Sequence, residues 1–194
     1  VDVIIDFSHH LTTKAVTDYA VKTNTPIVLC TTGQTEEEKE MIFNASKSVA
    51  VFYSGNMSVG IATLSKAVKT VVSAMKNAEI EIIEVHHDKK LDSPSGTALM
   101  LASAVKEVRP TMSVLTGRNG YQPKDKNEIG ISSIRYGNIV GIHEVIIATE
   151  TETTTLKHEA HTRAVFADGA VTASYYLCGK PAGLYDMKKL LGDN

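Results

Sequence analysis

The chain has 194 residues, long for one compact domain and short for two at roughly 150 residues per domain. Its 43% hydrophobic and 22% charged residues place it among globular proteins and exclude the disordered, collagenous and low-complexity classes. A formal charge of −2 gives no overall positive field, so neither nucleic acid nor an anionic membrane surface is an expected partner. Two cysteines, Cys30 and Cys178, are too few for a disulfide framework or a four-cysteine zinc site, and a reducing cytoplasm is the expected location. No apolar run approaches the roughly 20 residues of a membrane helix, and no basic leader segment opens the chain.

Val1 is not a start methionine, and residues 1–7 read at once as an apolar, β-branched strand, so the chain is expected to lack its beginning. Ser8 is placed to cap a helix over residues 11–22, and residues 26–30 form a second short apolar strand ending in the small-residue loop Thr31-Thr32-Gly33. Thr35 with Glu38 makes a capping box, and Glu36, Glu37 and Glu38 complement the positive start of the helix that follows. Residues 50–53 form another strand, leading into Ser54-Gly55-Asn56-Met57. Strands alternating with helices at this spacing predict βαβ units and a parallel sheet, whose ligands sit outside the carboxyl ends of the strands. Ser8, Thr31-Thr32-Gly33 and Ser54-Gly55-Asn56 all fall at such ends.

Beyond Ser58 the pattern changes. Ile61, Leu64, Val68, Val71, Val72 and Met75 recur at helical spacing and predict a long amphipathic helix from about Val59, with those residues in the core. A strand over residues 79–85, a polar loop over 86–96 and a helix over 97–108, stopped by Arg109-Pro110, come next. A further strand, a polar linker around 118–127 and strands over 130–135, 139–149 and 153–158 complete an α+β unit with a mixed sheet. Residues 163–177 are helical again despite Gly169, and end at Gly179-Lys180-Pro181 before a C-terminal turn around 184–191.

The segment Glu84-Val85-His86-His87-Asp88-Lys89-Lys90-Leu91-Asp92-Ser93-Pro94-Ser95-Gly96-Thr97-Ala98 concentrates histidines, lysines and hydroxyls between a strand and a helix. In one reading, Ser95-Gly96-Thr97 opens a helix whose N–H groups and hydroxyls make a carboxylate or phosphate site, with Lys90 and the histidines nearby as cations and proton donors. In a second, His86, His87 and Asp92 ligate a metal. Adjacent strand residues point to opposite faces, which opposes that reading, and His158 and His161 add to it only if they lie on a helix. In a third, the histidines are a hydrogen-bonded strand end and Ser-Pro-Ser-Gly an ordinary N-cap.

The same segment resembles the signature of the 4-hydroxy-tetrahydrodipicolinate reductase (dihydrodipicolinate reductase) family, Glu-x-His-His-x-x-Lys-x-Asp-x-Pro-Ser-Gly-Thr, here Glu84, His86, His87, Lys90, Asp92, Pro94, Ser95, Gly96 and Thr97. Ile5-Asp6-Phe7-Ser8, Thr31-Thr32-Gly33, residues 54–60, Ile134-Arg135, residues 137–144 with His143-Glu144, Phe166-Ala167-x-Gly169-Ala170 and residues 183–187 also resemble family segments, in the family's order and from end to end.

The resemblance implies an α/β protein with a partial Rossmann-type coenzyme domain over residues 1–57, continued by 164–194, and an α+β substrate and tetramerisation domain over 58–163. It implies hydride transfer from NADH or NADPH to a cyclic imine dicarboxylate in lysine (diaminopimelate) biosynthesis, by a homotetramer; no metal is expected, since no dedicated ligand spacing is present. His86 is then the proton donor, with its imidazolium disfavoured by the neighbouring lysines. Lys90 is a second donor that also holds a substrate carboxylate, and His87, Ser95, Gly96 and Thr97 bind substrate. Cys30, Thr31, Thr32, Ser54, Gly55, Asn56 and Met57 line the nicotinamide and its ribose.

Two departures stand out. The Gly-x-x-Gly-x-x-Gly segment and the charged residue that reads the adenosine ribose are absent from the 194 residues, so the chain is expected to lack about 70 N-terminal residues, one βαβ unit with an extra strand. That leaves a coenzyme-incompetent substrate-binding and assembly module as the alternative function. Met57 stands where phenylalanine is common, which alters packing beside the nicotinamide without removing it.

Overall fold

The computed structural model describes residues 1–192. In chain order its elements are β1 (Ile4–Asp6), α1 (Thr13–Thr23), β2 (Ile27–Leu29), α2 (Glu36–Ser46), β3 (Ala50–Tyr53), α3 (Val59–Ala74), β4 (Glu79–His86), α4 (Gly96–Val108), β5 (Ser113–Thr116), β6 (Glu128–Arg135), β7 (Gly141–Ala148), β8 (Thr153–Ala160), α5 (Ala164–Leu177), β9 (Gly183–Tyr185) and α6 (Met187–Leu190). They divide into two compact units, Val1–Ala62 with Ala164–Asn194, and Thr63–Arg163.

The first unit is a parallel sheet of order β1-β2-β3-β9, with Ile5 beside Val28, Val28 beside Phe52 and Phe52 beside Tyr185. All three residues of β2 are buried because successive side chains enter opposite faces and both faces are covered. Val28 and Phe52 join Met57, Ala170, Ala173, Leu177 and Met187 on the face held by α5, while Ile27, Leu29 and Val51 join Ala20, Ile42 and Ala45 of α1 and α2. This is the doubly wound arrangement that the alternating strands and helices predict. The capping box forms, with Thr35 Oγ1 accepting from Glu38 N and Glu38 Oε2 from Thr35 N.

Two local expectations are corrected. Ser8 does not cap a helix. Its N–H and hydroxyl both go to Oδ1 of Asp6, a carboxylate only 8% exposed that needs donors, while His9 caps a 3-10 turn over His10–Thr12 before α1 begins. The expected C-terminal turn resolves into β9 and α6, the latter capped by Asp186. A strand of three residues shows no periodicity in sequence, so only the sheet edge offered by β3 reveals it.

The second unit is a five-stranded mixed sheet of order β5-β6-β4-β7-β8, in which β5, β6 and β4 run parallel and β7 runs antiparallel to both β4 and β8. Its inner face carries Ile80 and Ile82 of β4, Ile129 and Ile131 of β6, and Val145 and Ile147 of β7, all buried. Helix α4, against β4 and β7, buries Ala98, Leu101, Ala102 and Val105. Along α3, Ile61, Leu64, Val68 and Val72 are buried as expected; Val71 and Met75 are half-buried, at the margin of the apolar stripe.

Gly169 has a steric reason to sit inside α5: a Cβ there would overlap the Met57 carbonyl, so glycine alone lets the helix press on the loop after β3. Gly→Ala inside a helix ordinarily stabilises by about 0.5–1 kcal/mol. Gly169→Ala is expected to reverse that sign and destabilise by about 1–3 kcal/mol through overpacking, measured by denaturant unfolding. A stability equal to or above that of the unmodified protein would refute the close approach.

Candidate active site

On β4 the buried face reads Ile80, Ile82, Glu84, His86 at every second residue, so the apolar core gives way to charge at the strand's carboxyl end. Register extends this polar end across the sheet. Ser133, Glu84, His143 and His158 form one row over β6, β4, β7 and β8; beyond it Arg135 pairs with His86 and Gly141 with Ala160.

Glu84 is 0% exposed. Its Oε1 accepts from Arg135 Nη2 at 2.6 Å and from the Ser95 N–H at 3.1 Å, and its Oε2 accepts from Arg135 Nη1 at 2.8 Å and meets His86 Nδ1 at 2.5 Å. Burial alone would push this carboxyl up, but hydrogen bonds from Arg135, Ser133, His86 and the Ser95 N–H hold it down to about 2. The Arg135 fork also donates from Nη2 to the Asp92 carbonyl at 2.8 Å, tying the loop after β4 to β6.

The His86 pKa is lowered from the ordinary histidine value, chiefly by burial at 7% exposure; Glu84 opposes this, and Lys90 and Arg135 reinforce it. Neighbouring lysine was expected to be the cause, and it contributes, but desolvation is the larger influence. His143, 4% exposed, is pushed down to about 4, first by burial and then by His86. Its Nε2 lies 3.1 Å from Ser95 Oγ, its ring meets the His86 ring edge-on with centroids 5.1 Å apart, and its Nδ1 has no hydrogen-bond partner among the described residues. A Cβ at Gly141 would stand 3.1 Å from His86 Nε2.

Around this core the loop arranges the remaining expected residues. Lys90 Nζ pairs with Asp92 Oδ1 at 2.7 Å, and His87 is half-buried, its N–H bonded to the Ile139 carbonyl at 2.8 Å. The Asp92 carboxyl is held below the usual range, first by Lys90 and also by the Gly96 N–H. Ser95, expected to bind substrate, is 2% exposed, and its hydroxyl is engaged by the Ala98 N–H at 3.2 Å and by His143. At the start of α4, Gly96 is exposed and Thr97 half-buried. His158 lies on β8 and His161 beyond it, so the helical pair that would have added to a metal site at His86, His87 and Asp92 is not formed, and among the described residues no three His, Cys, Asp or Glu side chains group to hold an ion.

In the first unit, the carboxyl ends of β1, β2 and β3 bring their loops side by side. The Cys30 N–H bonds the Asp6 carbonyl at 2.9 Å, and the Ser54 N–H the Leu29 carbonyl at 3.3 Å. Thr32 and Gly55 are exposed, Ser54 and Asn56 half-exposed, and a Cβ at Gly55 would lie 3.9 Å from Thr32 Cγ2. Beneath them, Thr31 Oγ1 donates to Asp6 Oδ2 at 3.0 Å, Met57 is 2% exposed in the core, and Cys30 is buried with its thiol pushed up to about 12, chiefly by burial. Small exposed residues over an inert floor suit close approach of a nicotinamide and its ribose.

Sequence reasoning gave Glu84, Arg135, Gly141 and His143 no role. The signal within reach was the period-2 face of β4, on which Glu84 must share the burial of Ile80 and Ile82 and so requires a cation from elsewhere.

A family model described as dihydrodipicolinate reductase, N-terminus, matches residues 1–57, and one described as dihydrodipicolinate reductase, C-terminus, matches residues 60–191. The 4-hydroxy-tetrahydrodipicolinate reductase of Clostridium tetani is 45% identical over 98% of this chain and 75% of its own length, and that of Brachyspira hyodysenteriae 42% identical over 98% and 83%. The solved dipicolinate-bound dihydrodipicolinate reductase of Paenisporosarcina sp. TG-14 superposes with a TM-score of 0.78 at 24% identity, covering 95% of this chain and 71% of that one, a likeness of fold. With both family models matched and such relatives aligned over nearly all its residues, the chain belongs to the dihydrodipicolinate reductase family.

Proposed function

We infer that the protein reduces 4-hydroxy-tetrahydrodipicolinate to tetrahydrodipicolinate, the reaction for which its relatives are named, in the lysine and diaminopimelate pathway. The observation that carries this reading is the charged end of β4, where His86 and Lys90 stand beside the exposed start of α4. A dicarboxylate suits that chemistry, because Lys90 and the Gly96 N–H at the start of α4 already engage a carboxylate, that of Asp92, and His87 adds a polar edge. Ser95 shapes this site as the cap of α4, through its backbone and its bond to His143. A nicotinamide coenzyme, NADH or NADPH, supplies the hydride when bound. Thr32, Ser54, Gly55 and Asn56 would hold its nicotinamide end, supported from beneath by Cys30, Thr31 and Met57.

Departure of the 4-hydroxyl as water leaves an unsaturated cyclic imine; once that imine has accepted hydride it is electron-rich and takes up one proton. His86 provides it: the ring N–H bond breaks, its electron pair stays on nitrogen, and the proton passes to the substrate. A buried histidine with a lowered pKa gives its proton up readily, and the fraction carrying that proton grows as pH falls. Accordingly kcat/KM falls as pH rises through the His86 pKa.

The test is oxidation of NADH and, separately, NADPH by the intact gene product, with substrate generated in situ by dihydrodipicolinate synthase. His86→Ala is expected to lower kcat by roughly 10²-fold or more, and Lys90→Ala to lower kcat and raise KM together. Absence of coenzyme oxidation by the unmodified protein would overturn the activity, and unchanged turnover in His86→Ala would overturn the assignment of the donor.

A homotetramer built through the mixed sheets is proposed as the working assembly. Its support is the outer sheet face, where Ile83, Ile142 and Ile146 are half-buried and Ile134 is 44% exposed in the isolated chain. Sedimentation velocity is expected to give four chains per particle, and a monomer at micromolar concentration would contradict it.

A further inference from the structure

We propose that Glu84 is a positioning residue: it fixes the His86 ring with Nδ1–H donated to its carboxylate, so that Nε2, on the side that Gly141 leaves open, is the atom that delivers the proton. The proposal rests on the reading of His86 as the donor.

The geometry supplies each step. Glu84 and His86 are two residues apart on β4 and share its buried face, so their side chains are neighbours by the strand's own pleat. Donor hydrogens from the Arg135 fork, Ser95 N and the Ser133 side chain fix the plane of the carboxylate, and its Oε2 meets His86 Nδ1 at 2.5 Å. An ionised carboxylate only accepts, so the hydrogen in that bond belongs to Nδ1 whether the ring is neutral or charged. The exchangeable proton is therefore on Nε2. Gly141 lies one residue beyond the Val85–Ile142 pair, against the His86 ring, where any larger residue would set a carbon 3.1 Å from Nε2. The His143 ring, edge-on at an interplanar angle of 73°, limits the tilt of His86, and Ser95 Oγ limits that of His143.

The groups facing His86 also fix what Glu84 does to its charge. Arg135 approaches from β6, His143 from β7 with His158 in register behind it on β8, and Lys90 from the loop. Glu84 is the anion among them, since the nearby Asp92 is paired with Lys90. Removing its charge leaves burial, Arg135 and Lys90 unopposed, and the proton on Nε2 is then held at lower pH only. After transfer, the Nε2–H bond has broken with its electron pair left on Nε2, the ring is neutral with Nδ1–H retained, and water returns the proton.

Two measurements decide the matter. Long-range ¹H–¹⁵N correlation spectra of the unmodified protein, with His86 assigned through its absence in His86→Asn, are expected to show neutral His86 with the proton on Nδ1. The opposite tautomer overturns the proposal, and this readout needs no altered Glu84 to fold. In the intact gene product, Glu84→Gln is expected to shift the His86 limb of the kcat/KM profile to lower pH and to reduce kcat near pH 7 by about 10- to 10²-fold with KM little changed. If His86→Ala loses turnover while Glu84→Gln keeps both the rate and the profile of the unmodified protein, the positioning role fails and His86 remains the donor. If His86→Ala keeps full turnover, the reading beneath the proposal fails instead.

Discussion

A carboxylate removed from water stays charged only where donors replace the solvent it has lost, and at Glu84 they come from three separate parts of the chain. Arg135 arrives from β6, Ser95 N from the start of α4 and His86 from β4 itself. Each partner is thereby placed with respect to the others. The same guanidinium holds the Asp92 carbonyl, so the loop bearing Lys90 is anchored to the sheet by the group that neutralises Glu84. The start of α4 is located by its hydrogen bond to that carboxylate. One buried charge thus organises the histidine, the lysine-bearing loop and the helix start.

The two units differ in chemistry. The second concentrates charged and histidine side chains at the end of a mixed sheet. The first offers small or hydroxyl-bearing residues at the ends of parallel strands, over a floor of Phe52, Met57, Ala170 and Ala173 that carries no titrating group near neutral pH. Cys30 belongs to this floor, because its burial keeps the thiol protonated and unreactive. Gly169 belongs to the packing of the same unit: it lets α5 press on the loop after β3.

Much of this was legible in sequence because it is local. The Thr35 and Glu38 box, the Ser95 cap, the helical stripe of α3 and the continuous apolar run of β2 each follow from residues within a few positions of one another, and each is found. The signature loop likewise yields His86, Lys90 and the helix start, since they lie within a dozen residues. Ser8 shows where local reasoning misleads: a good capping residue was claimed by the more deeply buried Asp6. Glu84 with Arg135 shows where it ends. They are 51 positions apart, and Ser95 with His143 are 48 apart, so their pairing is set by the register of β6, β4 and β7 rather than by spacing. Sequence announces that the inward-facing Glu84 needs a partner without saying which cation supplies it.

The dependence of the site on the Glu84–Arg135 pair is measured most directly by a double-mutant cycle on stability, with Glu84→Gln, Arg135→Met and the double variant compared in denaturant unfolding. Arg135→Met strands a buried carboxylate and is expected to cost about 3–5 kcal/mol, whereas the double variant, which strands none, should recover enough to give a coupling of about 2–3 kcal/mol. Single losses that simply add, within about 0.5 kcal/mol, would contradict the claim that this ion pair is the interaction on which the site is built.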